Sequence, residues 1–557
     1  MKKVIQYTIG VFALLLATVS CETTELGILQ DPNSSSPDNL DVDFTLNSIQ
    51  FNFSEFYEES VQPGAEAIRL EQMFNEYANR FQNTNAALQN TWQLAYAVVL
   101  QDIETLLPTA QENDLYIHSG IARVIKAYVL MTLVDYWGDV PYADALSGGE
   151  GQLFPPVTPG AEVYAAALAE LNQAIADLNT PASGAPAQDL FYDGDTDAWI
   201  ALANTLKLKY YLNLSLTDQA GATSAIQSLI NGGNLILSSD QDFTWKAGTA
   251  DNPLSKHQYY VDEYEAATPG AYISNYLMWT MAVEKGIDDP RLRYYVYRQV
   301  DAFPGDVATL DNEIDCWNDP RPTTYAPIDA ISAVPLPFCA LFDRGDGYWG
   351  RDHAEADGIP PDNTKRSTYG PYPVGGRFDD DDAESIDSGD GLDGAGIWPI
   401  MMSSFTYFMR AEAAVRLGTS DDARAMLEAG VRESIATVQA FLPNPGDFTN
   451  VPDATDVDNY VDTVLALYDA ETTNAGRMAV IGKEYWIAAF GNGVEPFNLY
   501  RRTGAPVNLQ PTYLGLGNFP RTFLYPSVSV DRNSAVSQKP NLSVPTFWDN
   551  NPADLTY

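Results

Sequence analysis

The side chains best placed to do chemistry in this sequence are loop aromatics, a run of aspartates and the cysteines. Trp245, Tyr260, Trp317, Tyr325, Tyr348 and Trp349 lie in stretches without helical period, beside Asp, Asn and Arg. An aromatic face in such company can stack on the C–H face of a sugar ring while the polar groups take its hydroxyls. Packing beneath a long loop is the plainer role for each of them. Phe378 to Asp393 holds eight acids and no base, and Asp387, Asp390 and Asp393 alternate with glycine in a way that can turn oxygens toward Ca²⁺. This is no EF-hand, because the alternate-position acids and the terminal Glu are missing, and a solvated acidic loop is the plain alternative. Asp343-Arg344-Gly345-Asp346-Gly347 offers a weaker version of the same pattern.

The third cysteine from the C-terminus, Cys21, follows a short leader. Lys2 and Lys3 supply positive charge, Val11 to Leu16 an apolar core, and Thr18-Val19-Ser20 a small-residue cleavage site. Residues 1–20 thus read as a secretory signal, too short for a stable membrane span. A Cys directly after the cut gives Cys21 as an acylated first residue, anchored by several chains where one alone would hold only weakly. Cys316 and Cys339 remain, and an oxidising compartment permits a disulfide between them.

Other chemistry is excluded by what is missing. The 557 residues carry 75 Asp and Glu against 31 Lys and Arg, a net charge of −44, so nucleic acid is not expected as a partner. Three His and three Cys cannot supply a zinc or iron–sulfur framework of the usual kind. No GxSxG, HExxH, Walker A or strand-borne GxGxxG motif occurs, so no enzyme is expected and no cofactor is required, Ca²⁺ being the one candidate. His118 sits in an apolar helical run and reads as structural; His353, among Asp352, Glu355 and Asp357, reads as a solvated hydrogen-bonding residue.

The elements that must hold these groups are helical. Trp92, Tyr96, Val99, Ile103 and Leu106 are spaced 4, 3, 4, 3, which makes one apolar stripe. Tyr164, Leu168, Leu171, Ile175 and Leu178 repeat the pattern, as do Trp199, Leu202, Leu206 and Tyr210 behind a start at Asp195-Thr196-Asp197. Leu115 to Tyr136 is apolar nearly all round, a central buried helix. Further helices are expected near 43–60, 63–82, 218–231, 270–285, 403–417, 420–439, 457–470 and 475–490. The fold class is therefore mainly α: degenerate tetratricopeptide-like helix pairs, long irregular loop insertions and few short strands. Residues 21–42 form a flexible tether, and 43–557 one domain. Within it, about 286–400 is rich in Gly, Pro and Asp and reads as an elaborated surface.

Several segments, in order, resemble the SusD/RagB family of Bacteroidetes outer-membrane lipoproteins, in its divergent branch. They are Asp31-Pro32-Asn33, Asp135 to Leu146 (DYWGDVPYADAL), Arg410-Ala411-Glu412-Ala413-Ala414, Glu495-Pro496-Phe497 with Arg501-Arg502-Thr503-Gly504, and Phe519-Pro520-Arg521 with Leu524-Tyr525-Pro526. Thr522 and Ser527-Val528-Ser529 depart from the family's pattern. The resemblance implies a lipid-anchored protein at the outer-membrane surface that captures oligosaccharide or polysaccharide. It also implies a partner, a SusC-like TonB-dependent transporter that performs the import. A peptide-uptake or transporter-lid role without glycan binding is the alternative, and a hydrolase a more distant one. Glu495, Arg501 and Arg502 read as ion pairs at the edge of the core.

Overall fold

The structure, a computed structural model, describes residues 40–267, 271–301, 319–339, 347–355, 364–513 and 519–551. The leader, Cys21, nearly all of the tether, Cys316, Trp317, and Asp343 to Asp346 lie outside the described residues.

The first helix, α1 (Val42–Ala67), begins where Asp41 accepts the Phe44 N–H at 3.1 Å. It buries Leu46, Ile49, Phe53, Phe56, Tyr57 and Val61 on one side and leaves Phe44 and Phe51 outside. The sequence placed a break near Pro63 and a second helix to 82. Instead α1 runs through Pro63, and the return carries only the single turn Tyr77–Arg80. Proline removes one backbone hydrogen bond, a loss that tertiary packing overrides here. A Cβ on Gly64 would collide with the Gly493 carbonyl, and one on Gly493 with that of Val61, so this end of α1 is fixed by close backbone contact.

Next come α2 (Ala86–Gln93) and α3 (Leu100–Glu112), joined without interruption by a π-helical turn, Leu94–Val99. Helix α4 (Tyr116–Trp137) is buried on all sides and ends at Gly138, whose φ of 74° suits glycine. It is long and apolar enough to cross a membrane, yet 89% of its most apolar window is enclosed by the protein, as expected of a core helix. Strands β1 (Val140–Pro141) and β2 (Val157–Thr158) form a short antiparallel ribbon. The chain continues through α5 (Gly160–Leu178), α6 (Thr196–Leu214, capped by Asp195 as its sequence predicts) and α7 (Gln219–Gly232). Consecutive members of α4 to α7 pack against each other.

The middle of the chain contributes β3 (Phe243–Lys246), α8 (Asn275–Ala282), β4 (Val296–Tyr297), β5 (Thr368–Tyr369) and β6 (Ile397–Met401). These strands make two more antiparallel two-stranded ribbons, β3–β6 and β4–β5. Then α9 (Ser403–Leu417), α10 (Ala423–Gln439), α11 (Ala454–Ala470) and α12 (Asn474–Ala488) pack in sequence, with α9 also touching α12 and α6. Helix α13 (Val494–Thr503) returns to α1 and closes the body.

Of the described parts of 286–400, 380–390 and most of 319–335 stay exposed or half-buried, as an elaborated surface would. Tyr348, Trp349, Asp352, His353, Arg366, Thr368 and Tyr369 are instead buried. These stretches are folded into the body, and some of their polar groups find partners there. His353 is one: its Nε2 lies 3.1 Å from the Tyr77 hydroxyl, under cover and not solvated.

Candidate functional site

A charge network drawn from the family-like segments lies enclosed at the centre of the molecule. Arg502 grips Glu412 through Nε at 2.7 Å and Nη2 at 2.8 Å, and reaches Asn213 at 2.6 Å. Glu495 pairs with Lys209, while Arg501 donates to the carbonyls of Asp135 and Arg521, each at 2.6 Å. These charges are structural: each has a partner inside, and none faces a cleft. They hold the end of α4 against α13 and the C-terminal segment.

An opening of a different kind lies along the outer side of α1. Phe51 is 50% exposed and meets Trp245 of β3 edge to face, ring centroids 6.0 Å apart. Phe191 backs the same indole at 5.6 Å. Across the ribbon, Trp245 is paired in register with Trp398 of β6. That second indole is sealed: His257 stacks on it at 3.9 Å and Tyr259 abuts it at 5.2 Å. The ribbon thus presents one half-open tryptophan beside one exposed phenylalanine, a shelf of about the size a sugar ring covers.

Carboxyls follow Phe51 along α1 and the segments packed beside it. One turn beyond Phe51 on α1 stands exposed Glu55, followed by Glu58 and Glu59. Burial pushes the Glu58 carboxyl up to about 8; the charges of Glu55, Glu59 and Asp262 add to that, against a hydrogen bond from Trp398. Asp262, in a second π-helical turn (Val261–Glu265), is also raised by burial, and Gln258 hydrogen-bonds it at 2.8 Å. Asn90 holds Glu59 at 2.8 Å. Farther along, burial pushes Glu71 up to about 8 beside the charge of Glu66, with Tyr259 and Arg80 opposing. Carboxyls raised as far as those of Glu58 and Glu71 keep their proton at neutral pH and can both donate and accept, which suits a hydroxyl or an acetamido group better than an anion.

Of the aromatics singled out from sequence, Trp245 alone among the described ones reaches this opening. Tyr260 is fully buried: it stacks on Tyr264 at 4.6 Å, its hydroxyl donates to the Asp390 carbonyl, and it accepts the Gly389 N–H. Tyr325 is enclosed under the Arg321 guanidinium, and Tyr348 under that of Arg298. Trp349 is 3% exposed, its backbone bound to Ser367. All four are enclosed by neighbouring segments and none presents a face to this opening.

The aspartates considered for Ca²⁺ have partners within the protein. Asp393 is neutralised by Lys256 at 2.8 Å, and Asp390 accepts the Asp387 N–H at 2.9 Å. Among the described residues no three His, Cys, Asp or Glu side chains converge as a metal would require. Cys339 is disulfide-bonded, and Cys316, its expected partner, lies outside the described residues.

Phe51, Glu58 and Asp262 were not found by sequence reasoning. Phe51 did carry a signal: it is a large apolar residue off the stripe that α1 buries.

A family model described as "Starch-binding associating with outer membrane" matches residues 36–330. One described as "SusD and RagB outer membrane lipoprotein" matches residues 393–522. No curated protein matches the sequence. Among solved structures, a chitin-binding protein superposes with a TM-score of 0.65 at 19% identity, covering 92% of this chain and 100% of its own. A SusD/RagB family protein from Bacteroides thetaiotaomicron gives 0.65 at 16% identity, covering 92% and 99%. A chitin-binding SusD homologue from Flavobacterium johnsoniae gives 0.60 at 17% identity, covering 92% and 99%. At such identities the likeness to these structures is one of fold.

Proposed function

This chain belongs to the SusD/RagB family of outer-membrane lipoproteins, and from that premise we propose that it captures a neutral glycan at the cell surface for uptake. The observation that carries the reading is the Phe51–Trp245 shelf, one exposed and one half-open aromatic ring, with the raised Glu58 carboxyl two turns farther along α1. The apolar face of a pyranose lies on Trp245, with Phe51 as its edge. Glu55, Glu58 and Asp262 take the hydroxyls. Binding of this sort makes and breaks no covalent bond, so no nucleophile or acid–base pair is needed. Two of the similar structures are of chitin-binding proteins, which favours an N-acetylated or related neutral sugar over a peptide.

Titration of chitotetraose and maltotetraose into the wild type and the Phe51→Ala/Trp245→Ala double variant tests the site. Loss of binding in the variant, with unchanged thermal unfolding, supports the assignment. Equal affinity in both removes it. Release of reducing ends from either sugar by the purified protein would favour a hydrolase instead.

Anchoring and partnership belong to the same proposal. Cys21 carries the acyl chains, and a SusC-like TonB-dependent transporter receives the glycan. Cys21→Ser is expected to abolish palmitate labelling and membrane retention. Affinity purification of the tagged chain from its native membrane is expected to bring down a β-barrel transporter, and its absence would favour a solitary binding role.

A further inference from the structure

A second cleft, of about 350 Å³, opens between α3, α4 and the loop that follows β1. It shares no lining residue with the Phe51–Trp245 shelf, and the family-like charge network does not reach it. Its wall is made by a departure from regular helix. The stripe Trp92, Tyr96, Val99, Ile103, Leu106 was expected to face the core as one line, and four of its members do. Tyr96 does so only in part: its ring packs on Trp92, centroids 4.9 Å apart, and on the core, while the rest of it lines the cleft. It stands within the π-helical turn Leu94–Val99. Its hydroxyl donates to the Pro141 carbonyl at 2.7 Å, which pins the β1 loop in place as the opposite wall.

The lining is mixed in a way that selects a ligand. Leu100, Leu130 and Leu146 make an apolar floor, and half-buried Tyr96 and Tyr142 stand over it. Around the rim the Gln101 amide and the Tyr142 hydroxyl make no hydrogen bond among the described residues. The one cation, Lys126, is 94% buried and already held by Glu104 at 2.6 Å and Glu170 at 2.7 Å. With its charge answered twice, the cleft gives no advantage to an anion. An apolar floor, aromatic walls and a rim of amide, hydroxyl and carboxylate suit one face and the edge of a pyranose ring. The volume lies at the small end of the range for ligand sites, roughly 300–1,000 Å³.

We propose that this cleft is an accessory carbohydrate site that takes a single ring of a neutral glycan, separate from the shelf on α1. The proposal rests on the glycan reading above and adds a second point of attachment, through which one long polysaccharide is held with greater avidity than either point provides.

The test is calorimetric titration of the full chain in detergent with chitotetraose and maltotetraose. Four variants accompany the wild type: Phe51→Ala/Trp245→Ala, Tyr142→Ala, Leu146→Trp to fill the cleft, and Gln101→Ala at an exposed rim position that folding does not depend on. The expected result is two sites in the wild type, with one lost in Leu146→Trp and Tyr142→Ala. Gln101→Ala should weaken that same site at least threefold, and the double shelf variant should retain it. A single site that vanishes with the shelf variant and ignores Leu146→Trp and Gln101→Ala overturns the accessory site while leaving the shelf intact. A single site that responds only to the cleft variants supports the cleft and overturns the shelf. No binding of either sugar overturns both.

Discussion

Trp245 and Trp398 face each other across the β3–β6 ribbon, yet one indole stays half open and the other is sealed beneath His257. The same residue type, one strand apart, is given two tasks by what covers it. That contrast separates binding from stability in a way experiments can read.

Trp245→Ala is expected to lower glycan affinity about tenfold, the scale of 1–2 kcal/mol for a lost aromatic stack, while changing the melting temperature little. Trp398→Ala is expected to cost about 3–5 kcal/mol of stability, as large-to-small changes in packed interiors do. Calorimetry and thermal unfolding on both variants check the split; equal effects on both readouts would contradict it.

The raised carboxyls give a pH dependence of defined sign. Glu58 and Glu71, both pushed up to about 8 by burial, hold protons in the folded protein that the unfolded chain releases near 4.5. Between those values the native state binds more protons, so stability falls as pH rises from about 4.5 to about 8. Glu58→Gln and Glu71→Gln should each flatten this slope and raise the melting temperature most at pH 8 and above. Melting curves that stay parallel to wild type across this range would refute the assignment.

Arg502 and Glu412 are buried together, so removing one strands the other. Glu412→Ala is expected to destabilise by about 3–5 kcal/mol, whereas a paired apolar replacement, Glu412→Leu/Arg502→Leu, should recover a large part of the loss. Urea unfolding measures both; a double variant no better than the single would show that the hydrogen bond to Asn213 matters more than the charge pair.

Ca²⁺ should leave the protein unmoved. With Asp393, Asp251 and Glu265 all tied to Lys256 and no group able to hold a metal among the described residues, millimolar CaCl₂ or EDTA is expected to shift the melting temperature by less than about a degree. A rise of several degrees with calcium, reversed by EDTA, would restore the acidic loop as a metal site.

Much of the scaffold was legible because its signals are local. The stripe of α5, the Asp195 cap of α6 and the stop of α4 at Gly138 each depend on residues within a few positions of one another. Errors came where a distant contact decides. Pro63 reads as a break, but α1 is carried through it by the approach of Gly493. Tyr96 reads as core and does pack on it, but from a π-helical turn that its neighbours do not announce it also lines a cleft.

The sequence by itself determined the class of molecule: helix pairs around a central apolar helix, a strongly acidic chain, a family resemblance carried by ordered motifs, and the scarcity of His and Cys. Periodicity and composition record how much surface a segment must bury, and that is enough to settle such matters. Which aromatics stay open was decided only in three dimensions. Tyr260, Tyr325, Tyr348 and Trp349 carry the same chemistry as Trp245, and they are buried because other segments fold over them while Trp245 has only Phe51 and Phe191 at its sides. Exposure is a property of what lies across a gap in space, and no spacing along the chain encodes it.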